Sequence, residues 1–193
     1  MIVPSIILHE VSHGVVALWF GDDTAKRAGR ITLNPVSHID PFGTIILPVI
    51  LAAFGGAILG YAKPVPIDPR RMRNPRNDSV IVALAGPAVN IVLAVLAAFA
   101  LRRWGPGNGD TLPVELLVRL GLINAVLAVF NLIPIPPLDG SAVVGRFLPR
   151  ALWPAWAKLQ QYGFVILLVV FLALPQLLHP LFVRAEQLWV DLL

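Results

Sequence analysis

The residues best suited to chemistry are His9, Glu10 and His13, which form the pattern His-Glu-x-x-His. Residues four positions apart share one face of a helix, so both imidazoles can reach one metal ion. Glu10 stands beside them and can take a proton from water. The pattern predicts a zinc site that hydrolyses its substrate. The alternative is that these side chains only hydrogen-bond between packed helices, a task that small residues and single polar groups perform at lower cost.

A catalytic zinc usually has three protein ligands and one open position. The chain has no cysteine, so the third ligand must be another histidine or a carboxylate. The candidates are His38, Glu115, Asp139 and His179. Asp139 stands out because it follows a proline-rich stretch at 134–137, where a helix must end. From the residues alone, Asp139 could equally be the N-cap of a short helix at 141–148.

The elements that must position these residues are expected to lie in a membrane. Hydrophobic residues make up 57% of the 193-residue chain and charged residues 13%, whereas soluble domains have about 45–50% and about 25%. The candidate spanning segments are 2–20, 42–62, 79–101, 114–133 and 159–180. The His-Glu-x-x-His pattern falls in the first segment, where ionisable side chains are costly and mark functional sites.

The basic residues indicate how the chain is placed in the membrane. Segment 42–62 contains Pro48 and the pair Gly55-Gly56, which interrupt a helix. If it crosses once, the two sides hold eight and six basic residues; if it is a re-entrant hairpin, they hold eleven and three. The positive-inside rule favours the hairpin, with the richer side in the cytoplasm. The net charge of +4 fits loops that face anionic lipid, and no basic cluster is interleaved with aromatic residues as nucleic-acid binding requires.

Further motifs surround these residues. They are Ala85-Gly86-Pro87-Ala88-Val89-Asn90, Asn131-Leu132-Ile133-Pro134, Leu138-Asp139-Gly140, 29-GRITLNPVSHIDPFGT-44 and 60-GYAKPVPID-68. With these motifs in this order, residues 5–145 resemble the site-2 protease family of intramembrane zinc metalloproteases, in its compact form without a PDZ domain.

The resemblance and the spans together predict an all-α polytopic membrane protein with about five to six membrane segments. These include the re-entrant hairpin, a small β-element near 60–67 and a three-helix catalytic core. The whole chain, 1–193, is expected to be one domain. Its core covers about 1–148, and a C-terminal helix with an interfacial tail covers 149–193.

For the site, the resemblance implies one Zn²⁺ per chain, with His9, His13 and Asp139 as ligands and Glu10 as general base. The expected location is the bacterial cell membrane, with the active site toward the cytoplasmic side. The lipid bilayer is therefore a partner, and nucleic acid is not.

Two asparagines complete the expected site. Asn131 matches a family asparagine that helps to hold the substrate carbonyl or the developing oxyanion. Asn90 matches an element packed near the site and is grouped with Asn131 as substrate-binding. The implied substrate is a transmembrane helix of another protein, which could add as a strand to the β-element once it unwinds. The sequence predicts no particular oligomeric state.

Other functions fit some of these residues. An ion- or proton-coupled transporter also places His, Glu and Asp inside a membrane, but such proteins commonly show repeated halves, and no repeat is visible here. A catalytically inactive scaffold would tolerate loss of Glu10, which this chain retains. A zinc hydrolase that acts on a bond other than a peptide fits the same residues.

Overall fold

The computed structural model describes residues 1–53, 60–105 and 111–193. Within them the α-helices are α1 (Ile2–Trp19), α2 (Thr24–Arg27), α3 (Leu47–Ala53), α4 (Pro75–Trp104), α5 (Leu112–Asn131), α6 (Ser141–Phe147), α7 (Trp153–Ala173) and α8 (Pro175–Leu192). Four of these helices, α1, α4, α5 and α7, are long and apolar enough to cross a membrane. They correspond to four of the five predicted spans, so the prediction of an all-helical membrane protein is confirmed.

The fifth predicted span, 42–62, is only partly described. It begins with a π-helical turn, Pro41–Ile46, which continues into the short helix α3. The turn starts at Asp40, whose side chain accepts hydrogen bonds from the amides of Phe42 and Gly43. The return of the predicted hairpin falls on 54–59, outside the described residues.

The predicted β-element near 60–67 is wrong. Residues 60–68 have no regular secondary structure, and there is no strand anywhere in the described parts of the chain. A strand needs a neighbouring backbone with which to form a ladder. Here the main-chain N–H groups of this segment bind the carbonyls of His38 and Gly43 and the side chain of Glu10 instead.

Three helices pack into a bundle, with α4 lying along both α1 and α5. Pro75 occupies the first turn of α4, and the Asp78 carboxylate accepts a hydrogen bond from the Asn74 amide, which stabilises the start of the helix. Small buried residues on α4, including Ala94 and Ala98, allow the neighbouring backbones to approach closely. This bundle is the three-helix core that the sequence predicted.

The C-terminal helix α8 packs along α5. Trp189 is 2% exposed and lies over Gly121, where an added Cβ would come within 2.0 Å of the indole ring. Phe182 stacks on Phe130 with ring centroids 6.5 Å apart. Because residues later in α8 contact residues earlier in α5, the two helices are antiparallel. The segment predicted as an interfacial tail therefore covers one face of the bundle.

Asp22 joins the end of α1 to the segment at 60–68. Its side chain is fully buried; Oδ2 accepts a hydrogen bond from the Asp68 amide at 2.7 Å, and Oδ1 accepts two from Thr24. Burial raises the pKa of Asp22, but these hydrogen bonds outweigh it and hold the pKa below its ordinary value. The carboxylate therefore stabilises the fold above its unfolded pKa, and this contribution is lost as the pH falls through the folded value.

Replacing Asp22 with Asn should lower the free energy of unfolding by about 1–3 kcal/mol at pH 7, because an amide cannot accept all three hydrogen bonds. The difference from wild type should begin to shrink below about pH 4, where the Asp22 carboxylate of the unfolded chain takes up a proton, and should vanish once the folded carboxylate is protonated as well. Thermal unfolding in detergent across this pH range measures both effects. Asp23→Asn is the control, since Asp23 forms only exposed ion pairs with Arg27 and Arg71 and should change stability by less than about 1 kcal/mol. Equal effects of the two substitutions would contradict the role of Asp22.

Candidate active site

His9, His13 and Asp139 converge on one point inside the bundle. The two histidines lie one turn apart on α1, are each 6% exposed, and direct Nε2 toward Asp139 Oδ2 at 3.1 and 3.5 Å. One ligand atom from each residue lies within 4.8 Å of the others, and no other such group occurs in the described parts of the chain. Asp139 Oδ2 is buried and has no hydrogen-bond partner. Two imidazole nitrogens and an unsatisfied carboxylate oxygen are a donor set that fits a zinc ion.

Asp139 reaches this position through the unwound chain after α5. The amide of Gly140 donates to Asn131 O at 2.7 Å, which turns the chain back over the end of the helix. A Cβ on Gly140 would lie 2.2 Å from Leu132 O, so this turn requires glycine. The N-cap of α6 is Gly140, and no side chain caps that helix. The alternative of Asp139 as an N-cap is therefore wrong.

The other ligand candidates lie elsewhere. His38 is buried, and its Nε2 donates to Thr32 O at 2.9 Å in a turn. Glu115 is exposed and pairs with Arg119, one turn further along α5. His179 is exposed on α8. None of the three belongs to the group that could hold a metal.

Hydrogen bonds to Nδ1 fix the orientation of both rings. His13 Nδ1 lies 2.7 Å from Val82 O, which can only accept, so the proton is on Nδ1 and the lone pair on Nε2. His9 Nδ1 lies 2.6 Å from Asn90 Oδ1. Both partners belong to α4, so the second helix of the core presents the imidazoles to Asp139. Such partners tune and orient metal ligands.

Gly86 allows α4 to pass directly behind the two rings. A Cβ at this position would lie 2.5 Å from His9 Nε2 and 2.5 Å from His13 Nε2. Real Cβ atoms do not approach other atoms so closely, and the Nδ1 hydrogen bonds restrain the rings from moving away. The glycine of the 85–90 motif is therefore required by contact with the two imidazole rings.

Glu10 lies between two cavities that meet at the site. One has a volume of about 280 Å³ and includes Asp139; the other has a volume of about 210 Å³ and extends to Phe164 on α7. His9, Glu10 and Asn131 line both cavities. Glu10 Oε2 accepts a hydrogen bond from the Val65 amide at 2.9 Å, which orients the carboxylate. A partly exposed carboxylate is thus held next to the three residues that could hold a metal, and it lies outside that group.

The segment at 60–66 is fixed along one edge. The amides of Tyr61 and Lys63 donate to Gly43 O and His38 O at 3.0 and 2.9 Å, and the amide of Val65 donates to Glu10. These are alternate residues, so their main-chain groups point to the same side. The opposite edge consists of groups from Gly60, Ala62, Pro64 and Pro66, of which the prolines have no N–H.

The two asparagines of the sequence prediction have different surroundings. Asn131 lies at the end of α5, where its Nδ2 donates to Leu127 O and its side chain lines the cavities. Asn90 is fully buried, contacts His9 and Asn124, and lines neither cavity at the site. Its geometry supports orientation of His9 rather than contact with substrate.

Sequence reasoning did not identify Asn124, which is fully buried and bonded to Asn90. An available signal was its position as a polar residue inside the apolar span 114–133, where such residues are costly. It also did not identify the Val65 amide, because a main-chain group has no sequence signature.

The apolar helical bundle directs two histidines and a carboxylate at one buried point, and a separate glutamate lies beside them. This arrangement is that of a membrane metallopeptidase. The family model of peptidase family M50 matches residues 1–105 and 109–174. The chain therefore belongs to this family of zinc metalloproteases, the site-2 protease family that its motifs resemble.

Similar proteins occur in bacteria and in an archaeon. A candidate zinc metalloprotease of Bacillus subtilis, YwhC, is 37% identical over 176 residues, which cover 88% of this chain and 77% of YwhC. A candidate zinc metalloprotease of Mycolicibacterium smegmatis, Rip2, is 35% identical over 87% of this chain and 63% of its own length. The candidate zinc metalloprotease MJ0611 of Methanocaldococcus jannaschii is 31% identical over 72% of this chain and 63% of its own length. No solved structure gives a significant match.

Proposed function

We propose that this protein hydrolyses peptide bonds within transmembrane helices of other proteins, with one zinc ion held by His9, His13 and Asp139. The observation that carries the proposal is the convergence of these three side chains next to Glu10 in an apolar bundle. When bound, zinc supplies Lewis acidity, which polarises a carbonyl and acidifies water. The protein supplies a fixed geometry and a base.

Glu10 is the general base. Its carboxylate accepts a proton from water as the water oxygen forms a bond to the carbonyl carbon of the substrate. The same carboxylate then gives that proton to the amine nitrogen as the C–N bond breaks. The hydrogen bond from the Val65 amide holds one oxygen of Glu10, so the other is free to exchange protons. This arrangement supports a role in proton transfer rather than in metal binding.

Asn131 is placed to bind the substrate oxygen. One N–H of its side chain donates to Leu127 O, which leaves the second N–H to donate into the cavities that it lines. A donor aimed at the oxygen where negative charge develops typically contributes about 3 kcal/mol to transition-state stabilisation. Asn131 therefore acts as a contact for the oxyanion.

Within the described residues no main-chain hydrogen bond is made at the opposite edge of 60–66, and this edge provides the docking surface for the substrate. A helix hides its carbonyls in i→i−4 hydrogen bonds, so a substrate helix must unwind before it can be cleaved. The unwound segment adds as a strand, donating its amides to carbonyls of Ala62 and Pro64. Because Pro64 and Pro66 lack an N–H, a substrate carbonyl opposite them has no partner in the ladder and is free for attack.

The described ends of segment 42–62 support a placement of the chain in the membrane. The Tyr61 amide donates to Gly43 O at 3.0 Å, and Thr44 Oγ1 donates to Tyr61 O at 2.9 Å. Ends that contact each other lie at one depth, which supports a re-entrant hairpin; with that hairpin, eleven basic residues would lie on one side. We propose that this side faces the cytoplasm of a bacterial cell and that the active site opens toward it. We also propose that residues 1–193 form one domain with its core at 1–148.

Substitution of the ligands tests the site. His9→Ala, His13→Ala and Asp139→Ala should each reduce bound zinc from one per chain to almost none, because a site with two protein ligands binds zinc weakly. They should also abolish cleavage of single-span model substrates in detergent. His38→Ala is the control, because His38 lies outside the ligand group and should leave zinc content unchanged. Normal zinc content in the ligand variants would refute the site.

A further inference from the structure

Four buried side chains from three helices form a continuous line of hydrogen bonds that ends on a proposed zinc ligand. Ser5 on α1 and Leu120 O on α5 accept from Asn124 Nδ2 at 2.9 and 2.8 Å. Asn124 Oδ1 accepts from Asn90 Nδ2 at 2.7 Å, and Asn90 Oδ1 lies 2.6 Å from His9 Nδ1. Ser5, Asn90 and Asn124 are at most 1% exposed. The catalytic roles proposed for Glu10, Asn131 and the ligands do not use Ser5 or Asn124.

The direction of every hydrogen bond in this line is determined at its far end. Leu120 O is a carbonyl and can only accept, so the Asn124 group that faces it must be the amide nitrogen. Ser5 donates its hydroxyl proton to Met1 O at 3.0 Å, so toward Asn124 it can only accept. Asn124 must therefore present its oxygen to Asn90, and Asn90 must present its oxygen to His9.

The consequence reaches the metal-binding nitrogen. Since Asn90 offers an acceptor, the proton of neutral His9 resides on Nδ1 and the lone pair on Nε2, which points toward Asp139. If the Asn90 amide turned over, its N–H would face Nδ1 and the proton would move to Nε2, where it would point at Asp139 in place of a metal. In the wild type that turn would place the Asn90 oxygen against the Asn124 oxygen, two acceptors with no proton between them.

We propose that Asn124 is a positioning residue that selects the zinc-binding tautomer of His9 through Asn90. This inference rests on the proposed metal site and extends it to a residue that touches neither metal nor substrate. His13 needs no such relay, because Val82 O fixes its tautomer directly. The tautomer of His9 therefore depends on side chains and that of His13 on a main-chain carbonyl, so His13 serves as an internal reference in the same molecule.

Zinc affinity measured against a competing chelator tests the proposal. Asn124→Leu removes the acceptor for Asn90 at nearly constant volume and should weaken zinc binding by about 10-fold to 100-fold. Asn124→Asp keeps an acceptor oxygen opposite Asn90 in either protonation state and should bind zinc more nearly as wild type does. Ser5→Ala removes one partner of Asn124 but leaves Leu120 O in place, so it should change affinity little.

Imidazole ¹⁵N chemical shifts in the metal-free protein separate positioning from simple loss of structure. In Asn124→Leu the His9 signals should move toward the Nε2-protonated form, while the His13 signals should stay as in wild type. If Asn124→Leu does not fold, Asn124→Ala provides the same comparison with a smaller side chain.

Two results would overturn the relay. One is an unchanged His9 tautomer together with wild-type zinc affinity in Asn124→Leu or Asn124→Ala; the other is an equal shift of the His9 and His13 signals, which would indicate general loosening of the core. Failure of the metal site itself looks different, because His9→Ala and Asp139→Ala would then also retain zinc. Loss of zinc in those two variants with normal binding in Asn124→Leu would refute only the relay.

Discussion

Replacing Glu10 with Gln should lower the rate of peptide cleavage by about 10²–10⁴-fold while zinc remains bound. The side-chain oxygen of Gln can still accept the hydrogen bond that the Val65 amide gives to Glu10, so the side chain keeps its position. What is lost is the ability to take a proton from water. His9, His13 and Asp139 are unchanged in this variant, so the metal content should stay at one per chain.

Two further variants show whether the loss of cleavage comes from the missing carboxylate of Glu10 or from a general change in α1. Glu10→Asp retains a carboxylate but shortens the side chain by one methylene, so it cannot hold the Val65 amide and reach water equally well; an intermediate rate is expected. Ser12→Ala lies on the same helix and removes only a hydrogen bond to His9 O, so it should cleave almost as wild type does. Cleavage rates with a single-span substrate and zinc content are measured together for all variants. Equal cleavage by wild type and Glu10→Gln would exclude Glu10 as the base.

The spanning helices could be predicted because each is a long apolar run, and such a run is visible within the segment itself. The segments predicted at 2–20 and 114–133 appear as Ile2–Trp19 and Leu112–Asn131, within two residues at each end. The His-Glu-x-x-His pattern placed both histidines on one helix face for the same reason, since helical spacing is local. These predictions needed no knowledge of how the helices pack.

Asp139 was harder to assign because its two possible roles depend on the direction of one side chain. Local sequence allowed a helix cap or a ligand, and both explain an aspartate before Gly140. The turn made by the Gly140 amide and Asn131 O directs Asp139 across the bundle toward α1. Only the packing of the α5 end against α1 decides between the two roles.

The β-element was predicted from resemblance and was wrong because strand formation depends on a partner. The alternation of 60–66 suits an extended chain, yet the groups that bind it come from Gly43, His38 and Glu10, which form no strand. Likewise, the line from Asn124 to His9 joins residues as far apart as Ser5 and Asn124, which are 119 positions apart. Contacts of this range have no local pattern.

Replacing Gly86 with Ala should weaken zinc binding by about 100-fold or more and abolish cleavage. An added Cβ would lie 2.5 Å from the Nε2 atoms of both His9 and His13, the atoms that face Asp139 and are proposed to bind zinc. The rings cannot swing aside freely, because Nδ1 of each is hydrogen-bonded to α4, the helix that carries the new methyl group. Either the rings move and lose these hydrogen bonds, or α4 moves away from α1. Loss of such orienting bonds alone costs about 10-fold to 100-fold in metal affinity.

The same substitution should not destabilise α4 itself, so its effect on zinc binding can be separated from its effect on helix stability. Alanine is about 1 kcal/mol better than glycine inside a helix, so helix propensity alone would make the metal-free protein more stable. Ala88→Val is the matched control, since residue 88 is exposed on the same helix and a larger side chain there meets no ligand. Zinc titration and thermal unfolding with and without metal measure both quantities. Wild-type zinc affinity in Gly86→Ala would mean that α4 does not pack closely against the two imidazole rings. The geometry of the site would then be set by α1 and Asp139 alone.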